Sequence, residues 1–168
     1  LQRLAHLDGL TSCYSRNYVN TILLNQRNGE WNDPNLKYSL AIVDIDNFKS
    51  INDTYGHEVG DRAIIAISQT LKDNCKSANG DCVIRHGGDE FIVLYNDVTK
   101  ERFQQKLASI VQEVRNIHFP DLPEMKLSVS IGGEHYSTPD QSLYYNMVRQ
   151  ADKKLYQAKE TGRNRYNL

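Results

Sequence analysis

The chain is short of several things that would otherwise steer its reading. It has no charge surplus. Its 20 Lys and Arg against 21 Asp and Glu give a formal net charge of -1, which leaves no electrostatic case for nucleic acid or an anionic membrane as partner. No apolar run approaches the roughly 20 residues that span a bilayer, and no signal peptide is visible. Cysteine is scarce: Cys13, Cys75 and Cys82 are three in number and lack CxxC spacing. That argues against a disulfide framework and a thiolate zinc site, and for reduced thiols in a cytoplasmic compartment. There is no internal repeat and no low-complexity segment. A length of 168 residues suits one domain with a sizeable core.

What is present alternates between helical and strand patterns. Arg16 to Asn25 reads as a helix, and "NGEWNDPN" (Asn28 to Asn35) as a loop. "YSLAIVDID" contains a short branched apolar run, which predicts a buried strand from Ser39 to Asp44. Ile64, Ile67 and Leu71 share a helical face within a predicted helix from Glu58 to Lys76. Cys82 to Arg85 and Glu90 to Tyr95 read as two strands reversed at Gly87-Gly88, a glycine pair that predicts a turn with positive φ. "ERFQQKLASIVQEV" is an amphipathic helix with Phe103, Leu107, Ile110, Val111 and Val114 on one side. "MKLSVSIGG" reads as a strand in which Lys126, Ser128 and Ser130 alternate with Leu127, Val129 and Ile131. "SLYYNMVRQADKKLYQAKETG" is a helix with Leu143, Met147, Ala151, Leu155 and Ala158 as its core stripe and Gly162 as its stop; "RNRYN" follows as a short strand. The pattern predicts an α+β fold, with helices flanking a ferredoxin-like or palm-like sheet, mostly antiparallel, of about five strands.

The stretch that asks for a function is "VIRHGGDEFIVLY", Val83 to Tyr95, where two glycines and two acids interrupt an apolar run. Buried carboxylates need partners. One reading is an ordinary exposed hairpin tip. The other is a cation and phosphate site. Asp44 at the end of one strand and Asp89 and Glu90 after the turn can meet, and paired carboxylates are seldom tolerated without a cation. Magnesium suits oxygen ligands of this kind, and Gly87 and Gly88 leave room for an anion. The polar stretch "DIDNFKSINDTYGHEVGDRA" (Asp44 to Ala63) adds Phe48, Lys49, Asn52, His57 and Asp61. An Asn and an Asp together can read the edge of a guanine, whereas a lone Phe48 is better placed in a core, and His57 is a hydrogen-bonder with no nucleophile in view. Lys159 and Arg163, at the end of the last helix, are either an exposed pair favoured by the helix dipole or phosphate contacts.

These residues resemble the GGDEF domain, the diguanylate cyclase family. "GGDEF" (Gly87 to Phe91) matches its signature, "DGLTSCYSR" its opening motif, "DIDNFKSIND" and "GHEVGD" its second block, "SVSIGG" its later strand, and "ADKKLYQAKETGRNR" its closing block. The resemblance implies a single domain over 1–168, the C-terminal output domain of a longer protein, with the GGDEF hairpin at its active site. It implies condensation of two GTP into cyclic di-GMP and two pyrophosphates, in bacterial second-messenger signalling. Activity would need a homodimer of domains and an upstream sensory or dimerisation domain. The setting would be cytoplasmic, free or as the cytoplasmic domain of a membrane-anchored protein, with no nucleic acid and no membrane contact by the domain itself. The metal, Mg2+ with Mn2+ as substitute, would be held by Asp44, the carbonyl of Ile45 and Asp89. Glu90, Asp89 and Asp44 would be catalytic, with Glu90 a candidate base. Phe48, Lys49, Asn52, Asp61, Gly87, Gly88, Lys159 and Arg163 would bind substrate.

Two departures stand out. The family's inhibitory product site, Arg-x-x-Asp, is reduced to Ala78-Asn79-Gly80-Asp81, which implies weak or absent feedback inhibition. Ser12-Cys13 replaces the usual Gly-Leu of the opening motif. The alternatives are a non-catalytic module that binds GTP or cyclic di-GMP, and a cyclase or palm relative with another product. Retention of Asp44, Asp89, Glu90, Asn52 and Asp61 favours the cyclase.

Overall fold

The computed structural model describes residues 6–19, 38–135 and 143–168. The predicted loop from Asn28 to Asn35 and most of the first predicted helix lie outside them. The elements run β1 (Tyr14–Ser15), α1 (Arg16–Tyr18), β2 (Tyr38–Ile45), α2 (Phe48–Tyr55), α3 (His57–Asp73), β3 (Cys82–Arg85), β4 (Glu90–Asn96), α4 (Lys100–Arg115), β5 (Val129–Glu134), α5 (Leu143–Glu160) and β6 (Arg165–Asn167).

The strands form a six-stranded sheet in the order β1-β3-β4-β2-β5-β6. Its four inner strands pair antiparallel, and the order β3-β4-β2-β5 is that of a β-α-β-β-α-β unit whose first strand lies between its third and fourth. The two outermost pairs are parallel, so the sheet is mixed. The sixth strand beyond the expected five or so is β1, two residues long, paired to Ile84 and Arg85 at the edge. So short a strand carries no alternating pattern.

Both faces of the sheet are buried, which is why its strands read as continuous apolar runs. Ala41, Val43, Phe91, Val93 and Tyr95 face a core completed by Ile67 and Leu71 of α3 and Phe103, Leu107 and Ile110 of α4. Leu40, Ile42, Ile92 and Leu94 face the opposite way, onto Met147, Ala151 and Leu155 of α5. Each Val, Leu, Ile, Phe or Met among them contributes about 1.5–3 kcal/mol of burial. All three cysteines are free. Burial pushes the Cys75 and Cys82 thiols up to about 12, so both stay protonated at neutral pH.

Three local expectations need correction. The stretch Asp44 to Ala63 holds a helix, α2, with Ile51 its one buried residue, too thin a stripe to show as a period. Among the described residues the glycines of positive φ are Gly56, Gly80 and Gly162, not Gly87 or Gly88. The hairpin closes instead by His86 and Gly87 both donating N–H to the Glu90 carbonyl, at 2.9 and 3.1 Å. Finally, β5 begins at Val129, and Ser130 is fully buried rather than on a polar face.

Gly132 and Gly133 in β5 lie under opposite layers. A Cβ on Gly132 would run into the backbone of Ala151 and Leu155 in α5, whereas one on Gly133 would meet the side-chain ends of Leu107, Leu168 and Phe103. Backbone cannot yield as a leucine methyl can. Gly132→Ala is therefore expected to cost about 1–3 kcal/mol or more of stability, and more than Gly133→Ala. Urea unfolding of both variants checks the order; equal midpoints would show that α5 can lift off β5.

Candidate active site

The central strand β2 ends beside the signature hairpin, and its register decides what meets there. Asp44 pairs with Glu90 on β4 and with Ser130 on β5. Residues paired in this way point to the same face, so the Asp44 and Glu90 carboxylates stand side by side on the α5 face. One residue on, the Ile45 N–H donates to the Asp89 carbonyl at 3.0 Å, tying the end of β2 to the hairpin tip. Asp44, Ile45, Asp89 and Glu90 are thus brought together.

A residue without an assigned role in the sequence reading holds this corner. Asp46 is buried, and it accepts hydrogen bonds from the Ser128 and Ser130 hydroxyls, both at 2.6 Å, and from the Asn164 N–H at 2.9 Å. The last partner follows the end of α5, where Arg163 N–H donates to Ala158 and Gly162 N–H to Lys159, the two bonds of a Schellman turn with Gly162 at φ 127°. Arg163 and Asn164 also take positive φ, 60° and 50°. Asp46 so fixes where Lys159 and Arg163 emerge. Lys159 forms an ion pair with Asp44. Arg163 is exposed, its guanidinium 3.5 Å from the Lys159 carbonyl. The signal for Asp46 in the sequence is an acid following an apolar run, opposite two serines in an alternating stretch.

The hairpin has a second tether. Arg85 donates to the Gly88 carbonyl at 2.8 Å and to both oxygens of Asp8 at 3.2 Å. Asp8 also accepts from the Thr11 N–H and hydroxyl, at 2.9 and 2.8 Å. The opening motif is therefore bound to the signature turn despite its Ser12-Cys13 departure. Gly87 and Gly88 themselves are exposed at the tip.

The nucleoside-reading candidates sit on α2 and α3. Asn52 is half-buried, and its Oδ1 is an orphan acceptor among the described residues. Gly60 makes room for it: a Cβ there would collide with the Asn52 carboxamide and stand 3.3 Å from the Phe48 ring. Phe48 also packs against the core, in keeping with the plainer reading of a lone Phe. Asp61, next to Gly60, is exposed, as is Lys49. His57 is exposed at the start of α3.

Electrostatics follow from this crowding. Burial pushes the Asp44 carboxyl above its ordinary value; Lys159 works against the rise and Asp89 adds to it. Burial also raises Glu90, reinforced by Asp44 and by Asp152 on α5. Among the described residues no three His, Cys, Asp or Glu side chains form a ready-made metal cage. Two carboxylates with a main-chain carbonyl beside them nonetheless form an all-oxygen set, and a hard divalent cation that keeps water and phosphate as its other ligands suits that set. Asp81, the retained acid of the reduced product motif, is spent on the fold. Its two oxygens accept from the Lys76 and Asn96 N–H groups, both at 2.9 Å.

The family model "Diguanylate cyclase, GGDEF domain" matches residues 5–165. The chain is 36% identical over 165 residues to a probable diguanylate cyclase, DgcC, of Escherichia coli K12, and 34% identical over 166 residues to the diguanylate cyclase DosC of the same strain. It is covered over 98% and 96% of its length but spans only 43% and 35% of theirs. The GGDEF domain of DgcB from Caulobacter crescentus, solved with c-di-GMP, superimposes with a TM-score of 0.83 at 27% identity, covering 97% of this chain and 95% of that one.

The Asp8 tether has a measurable signature. Burial alone would raise the Asp8 carboxyl, but Thr11 and Arg85 outweigh it and hold it below its ordinary value. A depressed folded-state value means stabilisation that is complete above the unfolded value of about 3.9 and lost as pH falls through the folded one. Asp8→Asn should lower stability at pH 7 and flatten the acid limb of the stability curve. Urea midpoints between pH 2 and 7 test this; parallel curves for the two proteins would refute it.

Proposed function

The chain belongs to the diguanylate cyclase GGDEF family, and on that premise we propose that it condenses two GTP into cyclic di-GMP with release of two pyrophosphates. The observation that supports this best is the Asp44–Glu90 pair, locked to the hairpin tip by the Ile45–Asp89 hydrogen bond. Each domain would bind one GTP. The Asp61 carboxylate would accept from the N1 and N2 hydrogens of guanine and the Asn52 amide would donate to O6, a pattern that discriminates against adenine. Phe48 would line the pocket. Lys49, Lys159 and Arg163 would take the phosphates, with Gly87 and Gly88 offering backbone at close range.

A Mg2+ or Mn2+ ion held by Asp44, Asp89 and the Ile45 carbonyl would neutralise charge on the triphosphate and lower the barrier to attack at its α-phosphorus. Glu90 would accept the proton of the ribose 3′-hydroxyl, a role helped by the upward push on its carboxyl. The 3′-oxygen forms a bond to the α-phosphorus of the facing nucleotide, and the bond to its β-phosphate oxygen breaks. Two such events close the ring, so each site is half of the reaction and two domains must face each other. We propose that segments of a longer protein bring them together, in line with the fraction of DgcC and DosC that this chain spans.

Product formation from GTP and magnesium, followed by chromatography at several protein concentrations, tests the reading. Cyclic di-GMP should rise more than linearly with protein. Asp89→Asn and Glu90→Gln should each cost about a hundredfold or more. No product, even with two domains joined by a fused coiled coil, would leave a nucleotide-binding module instead.

The reduced product motif gives a second test. With Ala78 in place of the Arg and both Asp81 oxygens engaged in the fold, added cyclic di-GMP should leave the initial rate unchanged at concentrations that match its substrate. Inhibition that is non-competitive with GTP would show that another basic residue has taken over the site.

A further inference from the structure

Lys159 is assigned to phosphate, yet its ammonium is paired with Asp44, a carboxylate assigned to the metal. The Asp44 side chain is 13% exposed and that of Lys159 34%, so the acid is fixed and the lysine has a way out to solvent. The Lys159 backbone cannot follow it. Its carbonyl accepts from Gly162 at 3.4 Å within the Schellman turn, and the turn is held to Asp46 through Asn164. Only the side chain can move, between Asp44 and whatever anion lies above the hairpin.

We propose that Lys159 is a displaceable counter-ion that closes the metal site to free divalent cation and leaves Asp44 only when a triphosphate arrives to receive it. Two positive centres cannot share Asp44 at close range without strong repulsion. Expelling the ammonium into water removes its best partner. Expelling it onto a triphosphate supplies another. Metal and nucleotide therefore enter as a unit, and the Asp44, Asp89 and Glu90 cluster is never left without a cation. The inference rests on the cyclase reading for the identity of the triphosphate, but its first arm needs no turnover.

Mn2+ binding to the nucleotide-free protein is measured by the electron paramagnetic resonance of the free ion. It is repeated with a GTP analogue carrying a methylene between its α and β phosphorus atoms, which cannot release pyrophosphate. Lys159→Met should bind Mn2+ about tenfold or more tighter than the natural protein without nucleotide. Lys159→Arg, which keeps the charge, should not. In Lys159→Met the analogue should strengthen Mn2+ binding less than in the natural protein. Lys159→Gln serves as a second neutral variant, and melting curves check that each is folded. Unchanged or weaker Mn2+ affinity in folded Lys159→Met and Lys159→Gln overturns the proposal, since a lysine that only contacts phosphate would leave the free metal site alone. Cyclic di-GMP formation with unchanged Mn2+ affinity overturns the counter-ion and not the cyclase. Tightened Mn2+ affinity in a protein that makes no cyclic di-GMP does the reverse.

Discussion

The end of β2 sets two carboxylates directly opposite each other, and much of the structure can be understood as the consequence. Like charges at a cross-strand pair destabilise a sheet. Register offers no escape, because moving either strand by one residue would turn its apolar side chains to the wrong layer. Leu40 and Ile42 point onto α5 with Asp44, and Ile92 and Leu94 with Glu90. The burial of those neighbours therefore fixes the acids in place. Their repulsion is then met from outside the strands, by a lysine on the last helix.

That lysine can be in position only because a second acid is treated in the opposite way. Asp46 lies just beyond Asp44 but is fully engaged, with two serine hydroxyls and one backbone N–H as donors. A buried carboxylate so satisfied is a structural joint: removing it would strand Ser130 in the interior without a partner. Among the described residues, Glu90 has no such donor and Asp44 has only the ammonium of Lys159. The difference between a joint and a proposed ligand, two residues apart on one chain, lies in the partners each is given.

The layered core was legible in the sequence because burial on both sheet faces writes long apolar runs, and because α3, α4 and α5 each carry a full stripe. The hairpin was legible for the same reason, although its glycines do not supply positive φ. What escaped has physical causes. α2 buries a single residue, Ile51, and owes its place to the strand before it and the turn at Gly56. β1 is too short for periodicity. Asp46 and Arg85 act through partners distant in sequence, Asn164 and Asp8, which no local pattern connects. The closeness of Asp44 to Asp89 and Glu90 was inferred from strand ends, and the register agrees with it.

The candidate residues also divide by how far the fold specifies them. Asp44, Glu90 and Asn52 are partly buried and have defined neighbours, whereas Lys49, Asp61 and Arg163 are exposed heads on well-placed stems. The division fits the half-site proposed above. Groups that need a set geometry at the reacting atoms are held by strands, where small displacements are costly. Groups that gather a flexible polyanion or complete a contact across a partner gain from reach, and helix ends provide it. Asn52 belongs between the two sets. Its oxygen, given room by the missing side chain of Gly60, is a buried acceptor without a partner among the described residues, which leaves the other end of the amide to face outward.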